Sequence, residues 1–168
     1  YDQWDNLSRV TYDDGATVSY EYHPTLHKVT RKTGENGVVT AYAYNGDGRL
    51  FRRTEAQGTE DERVTEFGYD ADGNLATIRR LADTDTAEAL TTMTYDADGN
   101  LETITDPELK VTRFTAYDVM GNVLTKIDAR GKTWTYTYDN SGRLRTVTDP
   151  LEHVTEYIYD EVGNRRQT

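Results

Sequence analysis

Two aspartates flank one small residue in YDADGNL, a seven-residue string found at 69–75 and again, unchanged, at 95–101. Such spacing could serve three chemistries: a calcium loop, a pair of carboxylates for acid–base work, or a hydrogen-bonded turn that reacts with nothing. Calcium collects about six to eight oxygens, and the EF-hand spreads them over a loop of about twelve residues with glycine at the sixth. Here the donors would be Asp70, Asp72 and Asn74, or Asp96, Asp98 and Asn100. Glycine arrives at the fourth place from the first Asp, and the carboxylate at the third place gives way to Met120 and Ser141 in related copies. A glycosidase needs two carboxylates converging in one cleft, whereas these recur along the chain. His23, His27 and His153 stand in no nucleophile context. The expectation is therefore that the chain has no catalytic, cofactor-binding or metal-binding residue and is not an enzyme.

A turn explains the string position by position. The first place of a type I turn favours Asp, whose carboxylate accepts backbone N–H groups further on, and the fourth place favours glycine. In a hairpin that glycine takes the left-handed conformation and forms a bulge. Asp70-Ala71-Asp72-Gly73 fits.

The turn recurs at a regular interval, which makes the chain a repeat array. YNGDGRL at 44–50, YDVMGNV at 117–123, YDNSGRL at 138–144 and YDEVGNR at 159–165 join the two identical copies. Two degenerate copies precede them. YDQWDNL at 1–7 has Asp5 where glycine belongs, which costs about 1–2 kcal/mol in a left-handed slot and should weaken the turn. The stretch from Tyr22, YHPTLHKV, keeps the tyrosine and a delayed Val29 and is not expected to be a tight turn. The anchors Tyr1, Tyr22, Tyr44, Tyr69, Tyr95, Tyr117, Tyr138 and Tyr159 are separated by 21, 22, 25, 26, 22, 21 and 21 residues. One array thus spans 1–168, with polar surface linkers at 55–63 and 81–90 absorbing the two long gaps, the second with a helical turn.

The segments between turns must be strands. In TWTYTYD, at 133–139, Trp134, Tyr136 and Tyr138 alternate with threonines, and TAYAY, TEFGY and TEYIY repeat the pattern. After each turn comes a second β-rich run, such as LETITDP at 101–107 or LRTVTDP at 144–150, closed by Asp-Pro. Each unit reads as strand, tight turn, strand, linker. Leu101 and Ile104, like Leu144 and Val147, are three apart and fall on opposite faces of an unbroken strand. Either a further bulge intervenes or both faces carry apolar packing.

The fold class expected is all-β: tandem β-hairpins of about 21 residues side by side in one continuous, curved or spiralling antiparallel sheet. With 35% hydrophobic residues and 13 Tyr against 3 Phe and 2 Trp, the sheet should be thin, wet and rich in tyrosine ladders. Arg52-Arg53, Arg79-Arg80, Arg143 and Arg145 follow turns and should form cross-strand or inter-repeat ion pairs. A net charge of -11 disfavours nucleic acid and anionic membrane surfaces as partners. No apolar run approaches the roughly 20 residues of a spanning helix. There is no cysteine, hence no disulfide framework.

Tyr-Asp, glycine at the fifth place, Arg or Asn next, a period near 21 and Thr-Asp-Pro linkers together resemble the YD-repeat, or Rhs-repeat, family over essentially the whole chain. In that family hairpins wind into a long sheet that closes as a hollow shell. Bacterial members hold a toxic C-terminal domain inside, and teneurins use a similar barrel in adhesion. The resemblance implies a secreted or cell-surface bacterial location. It also implies a structural role as a piece of shell wall that encapsulates or displays a toxin or effector cargo, with neighbouring repeats of a larger protein as partners. The family's glycine-rich Asp-Pro-Gly self-cleavage signature has no counterpart, since Asp106-Pro107 and Asp149-Pro150 are followed by Glu and Leu.

The alternative is an adhesion module that binds a carbohydrate or a cell-surface partner on the aromatic face. Choline-binding repeats of similar length rely on tryptophan-rich signatures, and this chain has only Trp4 and Trp134. An open sheet also leaves edge strands through which the isolated chain is expected to self-associate.

Overall fold

The computed structural model describes residues 1–83 and 86–167. It is all-β, and no helix occurs among the described residues. The chain divides into two compact units, Tyr1–Leu90 and Thr91–Thr168. The first holds β1 (Arg9–Thr11), β2 (Thr17–Tyr22), β3 (Val29–Thr33), β4 (Val39–Tyr44), β5 (Leu50–Glu55), β6 (Arg63–Tyr69) and β7 (Leu75–Arg80). From the boundary onward come β8 (Ala89–Tyr95), β9 (Leu101–Thr105), β10 (Val111–Tyr117), β11 (Val123–Ile127), β12 (Thr133–Tyr138), β13 (Leu144–Thr148) and β14 (Val154–Glu156), then a separate pair, β15 (Ile158–Tyr159) and β16 (Arg165–Gln167). Within each unit the sheet order follows chain order, β1 to β7 in the first and β8 to β14 in the second, as expected of successive hairpins.

Alternation in sequence becomes alternation of faces. In β12 the aromatic positions are half-buried and the threonines between them exposed. Thr137 meets Thr146 across the strands, hydroxyl to hydroxyl, at 2.7 Å, and Thr94 meets Thr103 at 2.8 Å. Each unit is a thin layer. Among the described residues only Val18 (7% exposed), Thr54 (8%) and Gly48 are buried, and no large side chain is fully enclosed. Hydrogen-bonded ribbons and half-buried side-chain rows carry the stability here, as in other repeat arrays where each unit rests on its neighbours.

The spacing of Leu101 and Ile104 is resolved by a bulge. Tyr95 pairs with Leu101 and Thr94 with Thr103, so Glu102 is an extra residue, and Met93 then pairs with Ile104. Tyr95 and Met93 are two apart and share a face, so Leu101 and Ile104 do too. The same slip follows Leu144, where Tyr138 pairs with Leu144 and Tyr136 with Val147, and it follows Leu75 and Leu50.

The segments read as Asp-Pro linkers are tight turns of the same kind as the heptads. At Asp106 the backbone N–H bonds Lys110 O at 3.0 Å, Leu109 N–H bonds Asp106 O at 2.9 Å, and the carboxylate accepts from Glu108 and Lys110 N–H at 2.9 Å each. Leu109, Gly131 and Glu152 take the left-handed slot, at φ 63°, 73° and 66°. Of the two longer linkers, 55–63 is an ordered loop in which Gln57 N–H reaches Val39 O at 3.0 Å. The helical turn expected within 81–90 falls partly on residues 84 and 85, outside the described residues.

Candidate functional site

The repeated heptad is the feature to test for chemistry, and the aspartate that opens it is engaged by its own turn. In the turn at 118–122, Asp118 N–H bonds Asn122 O and Gly121 N–H bonds Asp118 O, both at 3.0 Å. Asp118 Oδ1 accepts Met120 N–H and Asn122 N–H at 2.9 Å each, and Oδ2 accepts the Asn122 side-chain amide at 3.0 Å. Asp70, Asp96 and Asp160 are bound alike. For Asp96 and Asp118, the side-chain amide of the asparagine immediately before the strand and then the backbone N–H donors hold the carboxyl below its usual range. Of the candidate calcium donors, Asp70 and Asp96 already accept N–H groups of their own turns, and among the described residues no cluster of three metal-ligating side chains occurs.

Both degenerate copies form turns. Asp5 adopts φ 65°, and its N–H bonds Asp2 O at 3.2 Å, as glycine would. The turn opened by His23 is one residue longer: His23 N–H bonds Lys28 O at 2.8 Å and His27, at φ 52°, stands in the left-handed slot. Here the imidazole replaces the carboxylate, its Nδ1 facing Thr25 N–H at 3.3 Å and Leu26 N–H at 3.2 Å.

The anchoring tyrosine looks the other way, toward the preceding repeat. Successive hairpins pair over only three or four residues, as where β11 meets β12 through Thr125–Thr135, Lys126–Trp134 and Ile127–Thr133. Beyond that the strands part, and the Tyr138 hydroxyl donates to Val123 O at 2.9 Å in place of a main-chain bond. Tyr22 to Leu7, Tyr44 to Val29, Tyr69 to Leu50, Tyr117 to Leu101 and Tyr159 to Leu144 repeat this contact. Burial raises the phenols of Tyr44, Tyr117 and Tyr138 above the usual range, keeping them protonated as donors.

The choice of Arg or Asn at the sixth place also has a physical basis. Asparagine folds back onto its own turn's aspartate. A cation reaches forward: Lys28 Nζ lies 5.5 Å from the centre of the Tyr44 ring, Arg49 Cζ 5.6 Å from Tyr69 and Arg143 Cζ 4.7 Å from Tyr159. Arg143 does both, its Nε donating to Asp139 Oδ2 at 2.7 Å. The tyrosine ladders expected from the sequence are replaced by this interleaving, because equivalent rings stand two strands, about 9–10 Å, apart. Ion pairs do form across strands, Arg52–Glu66 at 2.7 Å and Arg79–Glu88 at 2.9 Å.

An open groove of about 500 Å³ lies where β9 and β10 part, lined by polar residues that include Asp98, Glu102, Thr103 and Arg113. What the heptad can do is close a corner and fasten it to the repeat before it.

Comparison with known proteins bears on that architecture. The family described as Teneurin YD-shell matches residues 1–167. No curated protein matches. Among solved structures, TcdB2-TccC3 without its hypervariable C-terminal region is 18% identical, with a TM-score of 0.58 over 98% of this chain and 10% of that one. The Photorhabdus luminescens Tc holotoxin pore is 17% identical, with a TM-score of 0.41 over 98% of this chain and 12% of that one. The chain spans about a tenth of the length of the solved structures it resembles.

Proposed function

Because the chain belongs to the Teneurin YD-shell family, we propose that it is a non-catalytic length of shell wall, one array from 1 to 168, in a larger extracellular bacterial protein that sequesters a toxin or effector polypeptide. The observation that carries this reading is the use to which the repeated groups are put. Each well-formed heptad spends its second residue, an aspartate or in one copy Asn45, on its own turn, and the anchoring tyrosines from Tyr22 onward whose contacts are described spend their hydroxyls on the repeat before. Groups so committed build an array. Likeness to toxin-complex chains supports wall assembly with flanking repeats as the principal partner.

The second reading, a glycan- or cell-surface-binding aromatic face, has less support. Lys28, Arg49 and Arg143 already cover Tyr44, Tyr69 and Tyr159, so those rings are not open for stacking on a sugar. Protection from protease tests the wall in its parent protein. A polypeptide held behind it should survive added protease in the wild type and be cleaved once Y117A and Y138A part the repeats. Equal cleavage in both would contradict sequestration, and saturable binding of free sugars would favour the second reading.

A further inference from the structure

The turn at 23–28 differs from its relatives in one chemical respect. Where they present a carboxylate to the backbone, it presents a half-buried imidazole. His23 Nδ1 faces Thr25 N–H at 3.3 Å, Leu26 N–H at 3.2 Å and the Thr25 hydroxyl at 3.2 Å. Two backbone donors converging on one ring nitrogen require a lone pair there, so the proton of the neutral ring sits on Nε2. A second proton on Nδ1 would turn the acceptor into a donor facing donors, and the cap would be lost. A carboxylate in the same role survives to far lower pH.

The turn is also tied to the next repeat. Lys28 Nζ donates to Gly48 O at 2.6 Å and lies 5.5 Å from the centre of the Tyr44 ring, while Leu26 packs against Gly48, 3.3 Å from where a Cβ would stand. His27, left-handed at φ 52°, meets Trp4 edge to face at 6.0 Å on the other side. We propose that this turn is a pH-sensitive latch: it holds the second repeat to the third while His23 Nδ1 is unprotonated, and protonation opens it, freeing Leu26 and Lys28 from the third turn. The charged groups of the adjoining turns are Asp2 and Asp5 on one side and Asp47 and Arg49 on the other, with His27 and Lys28 in the turn itself. Among the described residues none of these side chains bonds the His23 ring. Asp2 is occupied with Trp4 and Asn6 of its own turn.

Residue-resolved amide exchange on the 168-residue chain tests the latch. Between about pH 7.5 and about 5.5, which brackets ordinary imidazole titration, protection of the Thr25 and Leu26 amides should fall about tenfold or more, while Asn100 and Asn122 in the carboxylate-capped turns keep theirs. H23D supplies the carboxylate and should abolish the change; H27N should retain it. Constant protection at Thr25 and Leu26 while the His23 ring itself titrates would overturn the proposal. So would a change that persists in H23D and disappears in H27N.

Discussion

The hydroxyl of Tyr138 donates to the carbonyl of Val123, 15 residues earlier, at 2.9 Å. It is made where β11 and β12 have ceased to pair, so a side chain completes what the ribbons' own backbones leave open. Removing only the oxygen should therefore weaken the array without disturbing either hairpin. Y138F is expected to cost about 1 kcal/mol, and Y44F, in the other unit, a similar amount. The two should add within about 0.5 kcal/mol, being remote from one another in sequence and sharing no partner. Urea unfolding of the single and double variants measures this, and a neutral Y138F would show that the bond carries no stability.

Gly73 has φ 91°, and a Cβ built on it would run into Arg49 Nη2 of the preceding repeat. Gly99, at φ 83°, would meet nothing within 4 Å. G99A should cost about 1 kcal/mol for the left-handed backbone alone. G73A should cost more, because the Arg49 guanidinium must leave its place near the Tyr69 ring. In an R49A background that excess should vanish, leaving G73A and G99A equal in thermal melts. An unchanged difference would mean that Arg49 is not what Gly73 accommodates.

Stability should fall at both ends of the pH scale, for opposite reasons. The Asp96 and Asp118 carboxyls are held low by the Asn100 and Asn122 side-chain amides and then by backbone N–H donors, and Asp139 by Arg143. Their contribution is complete above the unfolded aspartate value of about 3.9 and disappears as pH drops through the lower folded values. The Tyr44, Tyr117 and Tyr138 phenols are raised by burial. Unfolded tyrosines ionise near pH 10 while these stay protonated, so their contribution is whole below about pH 10 and is lost as pH climbs toward the raised values. D118N should flatten the acid limb and Y138F the alkaline one. Free energies of unfolding measured against pH would show each limb, and a variant that flattened the wrong limb would refute its assignment.

The edge strand β1 has a single neighbour, β2, and spans only Arg9–Thr11. Unpaired strand edges invite further pairing, so the isolated chain should gain mass with concentration in sedimentation. A sharp monomer with rapid exchange in both terminal hairpins would speak against open, adhesive edges.

Much of this was legible in the residues. Thr-x-Thr between Trp134, Tyr136 and Tyr138 gives away the faces of β12, and Asp70 through Gly73 gives away the turn. The hidden parts depend on partners far along the chain. Leu101 and Ile104 admit either a bulge or two apolar faces, and only the pairing with Tyr95 and Met93 decides. The hydroxyl of Tyr138 finds its acceptor one repeat back, a relationship no local pattern encodes. The turns at Asp106 and Asp149 read as linkers in the sequence because Leu109 and Glu152 fill the left-handed place where glycine is the cue. Asp128-Ala129-Arg130-Gly131 carried that cue.

The central claim is that the heptad aspartates cap corners of the backbone. Asn74, Asn100, Asn122 and Asn164 lie outside strands, yet their N–H groups donate to Asp70, Asp96, Asp118 and Asp160 Oδ1 at 2.8, 2.8, 2.9 and 2.8 Å. Amide exchange at neutral pH reads those bonds one by one. The account predicts that these amides exchange as slowly as their neighbours in the strands, and that D118A exposes Asn122 while leaving Asn74 protected. Exchange of all four at the rate of an open loop would contradict it.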